Sequence, residues 1–182
     1  MKKICVYLAE GFEEIEAITI IDLLRRGGVQ VQAVSIEENL LVKGGHGISV
    51  MADVNIKNSG QEIDGHILPG GMPGTENLFD SDILREIFIE ANRQNKLLGA
   101  ICAAPSVLGR WGLLKGKDAT CYPGFEKYLV GANVLEDIVV IDKNIYTSRG
   151  PGTATDFGLA LIEALIGKEK KEEVQAGLLY KS

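Results

Sequence analysis

One cysteine, Cys102, stands where a strand-like segment meets a helix-like one, a position that suits nucleophilic chemistry. The segment from Leu97 to Ile101 is aliphatic, and Pro105 suits the first turn of a helix, where its missing N–H costs little. The small residues around Cys102 permit a sharp turn of the nucleophile-elbow kind, with cysteine in place of serine. Because free N–H groups at a helix N-terminus stabilise an anion, the pattern predicts a reactive thiol with a lowered pKa. The alternative is an inert core cysteine, an interpretation that suits the mid-strand Cys5.

A second candidate for chemistry is the carboxylate of Glu16. When the helical segment from Glu13 to Gly27 is unrolled at about 100° per residue, Glu16 falls inside the apolar stripe, between Ile20 and Leu23. A carboxylate on that face is desolvated, so its pKa should rise, and such groups are functional candidates. Glu13 and its neighbour Glu14 are instead typical of a first turn that favours the helix dipole.

The opposite side of the same helix carries two isoleucines, Ile15 and Ile18, among polar residues. Single exposed apolar side chains are common, but two on one helix face indicate a contact between subunits. The sequence therefore predicts a dimer contact at Ile15 and Ile18.

The elements that must position these residues alternate between strand-like and helix-like segments. We predict strands over 3–8, 29–36, 65–68 and 97–101, a hairpin of 40–42 with 48–51, a β pair of 138–141 with 145–148, and helices over 13–27, 81–95, from 105, 155–166 and 168–179. Ser81 is a plausible N-cap of its helix. This alternation predicts one α/β domain over residues 1–182, with a mostly parallel sheet, helices on both faces and a small antiparallel hairpin.

Ligands of such sheets bind beyond the carboxyl ends of the strands. Four of the predicted strand ends carry small or glycine-rich edges, which are Glu10-Gly11, Pro69 to Gly71, Cys102 to Ala104 and Arg149 to Gly152. We expect these four edges to meet in one place and to form the functional site, with Arg149 as a possible supporting residue.

Composition limits the classes of function. The 182 residues carry a formal net charge of −6 and no undiluted basic block, which argues against nucleic-acid binding. No uninterrupted apolar stretch is long enough for a membrane span, and the N-terminal strand-like segment does not look like a signal peptide. Three widely spaced cysteines do not form a disulfide framework, so we expect a cytoplasmic protein. The two histidines, His46 and His66, are too scattered for a His-based zinc site, and we expect neither a metal nor a cofactor.

The motifs together resemble those of the ThiJ/PfpI superfamily, in the clade of the Parkinsonism-associated deglycase. The likeness covers essentially the whole chain, and its marks are Glu13 to Glu16, Leu68 to Gly71, Ala100 to Pro105 and Thr147 to Thr153. The resemblance implies a flavodoxin-like fold and a homodimer. It also implies that Cys102 is the reactive cysteine, that Glu16 is its partner, and that the backbone amides of Gly70, Gly71 and Ala103 bind an oxyanion.

The chain departs from its relatives at one position near the cysteine. Several relatives carry a histidine where this chain has Tyr122, so Cys–His activation is not available from that position. Tyr122 can still donate a hydrogen bond, but its ordinary pKa near 10 makes it a poor base. The resemblance also aligns His46, in the predicted hairpin, with an arginine that reaches the active-site mouth of the other subunit. His46 is therefore either a turn residue without a role or a partial replacement for the imidazole in trans.

The resemblance implies a cysteine-dependent glyoxalase or deglycase that acts on small 2-oxoaldehydes or their early adducts, with Glu16 as the proton shuttle. A first alternative is a redox sensor or stress chaperone in which Cys102 is oxidised to sulfinate without turnover. A weaker alternative is a PfpI-type peptidase, since no histidine accompanies the cysteine in the sequence.

Overall fold

The computed structural model of the chain describes residues 1–60 and 62–180. Its strands and helices, in chain order, are β1 (Lys3–Leu8), α1 (Glu14–Arg26), β2 (Gln30–Ser35), β3 (Leu41–Lys43), β4 (Ser49–Met51), β5 (Val54–Asn55), β6 (Gly65–Leu68), α2 (Gly74–Phe79), α3 (Asp82–Arg93), β7 (Leu97–Ile101), α4 (Pro105–Arg110), β8 (Asp118–Ala119), β9 (Asn133–Val134), β10 (Val139–Asp142), β11 (Ile145–Ser148), α5 (Ala154–Leu165) and α6 (Lys168–Gly177).

A seven-stranded sheet forms the centre of the molecule, with the strands in the spatial order β10-β11-β7-β6-β1-β2-β5. Every neighbouring pair is parallel except β10 and β11. The four strands predicted to carry the site, β11, β7, β6 and β1, are consecutive in this order, so their carboxyl ends lie side by side. The predicted hairpin is also present, since β3 pairs antiparallel with β4.

Helices cover both faces of the sheet, as the aliphatic strands require. On one face, α1 and α5 bury Ile20, Leu24, Phe157 and Ile162 against the strands. On the other face, α3 and α4 bury a second cluster that includes Phe88. The prediction of a mostly parallel α/β fold with helices on both faces is confirmed.

Local signals in the sequence explain most of the element boundaries. The Ser81 hydroxyl accepts a hydrogen bond from the Leu84 N–H, so Ser81 is the N-cap of α3 as predicted. Helix α1 ends at Gly27, and both Gly27 and Gly158 of α5 lack a side chain where the two helices approach each other. The two-residue strands β5, β8 and β9 were not predicted, because such short segments carry no readable periodicity. Among the described residues, no helix has both the length and the apolar character needed to cross a membrane.

Candidate active site

Cys102 occupies the turn between β7 and α4, where the sequence places a nucleophile elbow. Its φ of +65° lies in the left-handed region, which is uncommon for a residue other than glycine. The Cys102 N–H donates to the Ser148 carbonyl at the end of β11 (3.0 Å), and the Cys102 carbonyl accepts from the Tyr122 N–H (2.8 Å). Neighbouring segments therefore hold the strained backbone in place, and strain of this kind is concentrated at functional sites.

The Glu16 side chain is fully buried and lies against the same turn. Its Oε2 accepts a hydrogen bond from the Gly70 N–H (2.7 Å). Its Oε1 accepts no hydrogen bond of ordinary geometry among the described residues, and the Cys102 thiol is the side-chain polar group that interacts with the carboxylate. A Cβ at position 70 would lie 2.7 Å from the Cys102 Cβ and 2.9 Å from Glu16 Oε2, so only glycine fits between them.

Burial determines the protonation of this pair. It raises the pKa of Glu16 to about 7, against the opposing effect of the Gly70 N–H. Burial also raises the pKa of Cys102, the Glu16 carboxylate raises it further, and hydrogen bonds from the Ala103 and Gly71 N–H groups only partly oppose them. The lowered thiol pKa predicted from the sequence is therefore wrong for Cys102 considered alone.

The thiol and the carboxyl form a coupled pair. Two anions in this buried position would repel each other, so the pair retains one proton after the first one leaves. A thiolate forms here when the Cys102 proton moves to Glu16, which then carries no charge.

Three backbone amides were predicted to bind an oxyanion, and they have different partners in the structure. The Gly70 N–H donates to Glu16, whereas the Gly71 and Ala103 N–H groups donate to the Cys102 sulfur. Gly71 has a φ of +90°, and a Cβ there would clash with the backbone before α1, so the close approach requires glycine. The action of all three amides on an oxyanion stays a prediction.

The two other supporting candidates lie on the rim of the site. The Tyr122 side chain is partly exposed and lies against Gly150, while its backbone N–H holds the Cys102 turn. The Arg149 Nη1 donates to the Glu136 carbonyl (3.0 Å), and the Arg149 charge also acts on the nearby Cys121. Tyr122 therefore contacts the segments that form the site, whereas the hydrogen bond of the Arg149 side chain is with Glu136.

His46 lies at the tip of the β3–β4 hairpin, next to the N-terminus of α1. Its side chain is exposed, and its Nδ1 lies 2.9 Å from Glu14 Oε2 within the same chain. The hydrogen bond to Glu14 raises the pKa of His46, and the charge of Glu13 adds to the effect. The predicted action of His46 in trans stays a hypothesis, since nothing in a single chain tests it.

Sequence reasoning missed the structural position of Glu14. Glu14 was interpreted as a first-turn residue that favours the helix dipole, but its side chain is only 7% exposed and its Oε1 also accepts the backbone N–H of His46 (2.7 Å). The signal that could have identified it is Gly44, where a Cβ would collide with the Glu14 carboxylate. Ile15 and Ile18, in contrast, are exposed as predicted, at 57% and 44%.

The comparisons with known proteins all indicate the same family. The model of the DJ-1/PfpI family matches residues 2–164. "Protein DJ-1 homolog B" of Arabidopsis thaliana is 43% identical over 183 residues, which cover 99% of this chain but 42% of that protein. This chain thus spans less than half the length of that relative. "Glutathione-independent glyoxalase DJR-1.2" of Caenorhabditis elegans is 38% identical over 88% of this chain and 87% of its own length. The solved structure of "Toxoplasma gondii DJ-1, oxidized" superposes with a TM-score of 0.96 at 40% identity and covers 100% of both chains.

Proposed function

The chain belongs to the DJ-1/PfpI family, and we propose that it is a cysteine-dependent glyoxalase or deglycase acting on small 2-oxoaldehydes or their early adducts. The proposal rests on the buried Glu16 carboxyl group, which interacts with the Cys102 thiol. The Oε1 atom of this group accepts no hydrogen bond among the described residues. The name of the similar C. elegans glyoxalase supports the same reaction class.

The reaction begins when the proton of Cys102 passes to Glu16. The Cys102 thiolate attacks the aldehyde carbon of methylglyoxal, and the resulting alkoxide takes the proton from Glu16, giving a hemithioacetal. Before protonation, the Gly71 and Ala103 N–H groups, which already face the sulfur, stabilise the oxyanion.

Glu16 then completes the isomerisation as a general base. Its carboxylate removes the proton on the former aldehyde carbon, and a proton is returned to the neighbouring carbon, which leaves a lactoyl thioester on Cys102. Water cleaves the thioester to lactate and restores the thiol. For a hemiaminal adduct of an amine, the Cys102 thiolate displaces the amine from the former aldehyde carbon while Glu16 protonates the departing nitrogen, and the same hemithioacetal then proceeds to lactate. Each step uses one proton that Glu16 can hold, since its pKa is raised to about 7.

The experiment that tests this proposal is a turnover screen of methylglyoxal, glyoxal and a methylglyoxal–amine adduct, with product acids measured by NMR. Formation of lactate or glycolate at a rate proportional to protein concentration supports the proposal. Absence of any product acid from all three substrates would refute it.

A redox sensor or stress chaperone is the second candidate function. Its support is the donor arrangement around the sulfur, since the Gly71 and Ala103 N–H groups and a protonated Glu16 would all stabilise a Cys102 sulfinate. Intact mass after mild peroxide treatment distinguishes it, because a sensor gains two oxygens on Cys102 without aldehyde turnover. A PfpI-type peptidase has less support, as Tyr122 stands where a histidine would activate the thiol.

The alkylation rate of Cys102 should depend on Glu16. In wild type we expect the Cys102-dependent rate of reaction with iodoacetamide to rise through about pH 7, because the pair loses its first proton there. In Glu16→Gln no carboxylate shares the proton or repels the thiolate, so the rate should not level off near pH 7 and should keep rising until the thiol itself is ionised. Rates measured from pH 5 to 9 in buffers with EDTA test this, with Cys102→Ser as the background. Superimposable wild-type and Glu16→Gln profiles would refute the shared proton.

We also propose a two-fold dimer through α1, since Ile15 and Ile18 are exposed on one face of this helix. The double substitution Ile15→Glu with Ile18→Glu should convert the dimer to a monomer in light scattering at micromolar concentration. Ile83→Glu on α3 is the matched control, because Ile83 is also 44% exposed and lies on another helix. A monomeric wild type, or a double variant that remains a dimer, would contradict this proposal.

A further inference from the structure

Three potential metal ligands converge outside the Cys102 site, at the contact between the β3–β4 hairpin and the start of α1. The Nδ1 atom of His46 lies 2.9 Å from Glu14 Oε2 and 3.6 Å from Glu13 Oε2. One ligand atom from each of the three residues lies within 4.8 Å of the other two. The two histidines were judged too scattered for zinc from the sequence, but the fold brings His46 to two carboxylates instead of to His66.

The separations of His46 Nδ1 from the two carboxylates suit a tetrahedral transition metal. For metal–ligand bonds of about 2.0–2.1 Å, two ligands of a tetrahedron are separated by about 3.3 Å. The observed separations of 2.9 Å and 3.6 Å from His46 Nδ1 fall on either side of this value. Small rotations of the exposed His46 ring would therefore equalise them.

The environment of the Glu13 carboxylate independently favours a cation at this position. Its side chain is only 13% exposed, yet it accepts no hydrogen bond among the described residues, and His46 at 3.6 Å is its nearest cationic partner. Glu14 is more deeply buried and already holds His46. Glu14 accepts hydrogen bonds from the backbone N–H groups of His46 and Ile48 and from the His46 ring, whereas the Glu13 carboxylate has only the 3.6 Å contact with His46. Glu13 is therefore the carboxylate that lacks compensation by charge or hydrogen bonds.

We propose that Glu13, Glu14 and His46 form a binding site for a divalent transition-metal ion of the zinc type. The ion displaces the proton from His46 Nδ1 and compensates both carboxylates. The His46 side chain is 71% exposed, so the fourth position is open to solvent and takes a water molecule. One imidazole ligand favours zinc over magnesium, which prefers an all-oxygen octahedron. This site does not depend on the reaction proposed for Cys102.

Calorimetric titration of metal-free protein with ZnCl₂ tests the site, and Cys102→Ser is used as the background so that this thiol cannot bind zinc. We expect saturable binding of one zinc ion per chain and no binding of MgCl₂ under the same conditions. His46→Asn and Glu13→Gln, each in the same background, should weaken zinc binding by at least about tenfold, since even outer-shell partners of a metal contribute that much.

Glu38→Gln is the matched control, because it removes one carboxylate that is 96% exposed and remote from the cluster in sequence. It should leave the zinc affinity unchanged. Circular dichroism of each variant confirms that it is folded. The site is overturned by an absence of saturable zinc binding, or by His46→Asn or Glu13→Gln proteins that are folded and bind zinc as tightly as the background.

Discussion

Cys102→Ser is expected to lower methylglyoxal turnover on the order of 10³-fold or more, the scale of loss when an enzyme loses its nucleophile. Serine keeps the shape of the side chain, but its hydroxyl is far less acidic than a thiol. The Glu16 carboxyl can accept the proton of a thiol in this buried site, but it is too weak a base to generate an alkoxide. Lactate formation under saturating methylglyoxal, followed by NMR, measures the loss.

Cys121→Ser is the control for this substitution, because Cys121 is another buried free thiol near the same turn. It belongs to the apolar cluster on the other face of the sheet, whereas Cys102 belongs to the α1–α5 face. Cys121→Ser should therefore retain most of the turnover. A Cys102→Ser protein with more than a tenth of wild-type turnover would exclude covalent catalysis by Cys102.

Glu16→Gln should lower turnover by about 10²–10⁴-fold, the usual contribution of a positioned general acid–base. Glutamine has nearly the same shape and can still accept the Gly70 N–H, but it cannot carry a proton between substrate atoms. We therefore expect a loss in kcat larger than any change in KM. The wild-type pH profile, measured with EDTA present, should also show an inflection near pH 7 that the variant lacks.

A stability measurement separates this catalytic loss from misfolding. The folded-state pKa of Glu16 is raised from 4.5 to about 7, so ionisation of this group destabilises the fold as pH rises through that interval. Relative to wild type, Glu16→Gln should gain thermal stability between pH 5 and pH 8. A variant that loses stability over this interval, or one that retains wild-type turnover, would contradict the assignment of Glu16 as a buried proton shuttle.

The sequence predicts the fold and each of the two central residues from local signals, whereas the pairing of Glu16 with Cys102 is implied by the family resemblance. The apolar stripe of α1 identifies Glu16 as buried, and the turn before Pro105 identifies Cys102 as the residue at a sharp strand–helix turn. The direction of the thiol pKa could not be predicted in the same way. It depends on how deeply Cys102 is buried and on the distant residues that approach it, both of which are set by tertiary packing.

The contacts around α1 also depend on tertiary packing that local sequence signals do not reveal. Helical periodicity identifies Ile15 and Ile18 as exposed, since their side of the helix is otherwise polar. It does not reveal the contacts of Glu14, because a separate hairpin covers that residue. A pattern within one helix reports which side faces the sheet, and it does not report what another loop will cover.

The fit between Gly44 and Glu14 restricts how this protein can diverge. The volume that a side chain at position 44 would need is occupied by the Glu14 carboxylate, so a larger residue there must displace this carboxylate from its hydrogen bonds or be matched by a smaller residue at position 14. Such paired positions are expected to be non-additive, because the collision arises only when both positions carry larger side chains. We expect evolutionary trajectories to exchange these residues in a fixed order, first shortening Glu14 and only then enlarging Gly44. A lineage that shortens Glu14 also loses a carboxylate beside His46. Substitutions at the tip of the hairpin and at the start of α1 should therefore occur together.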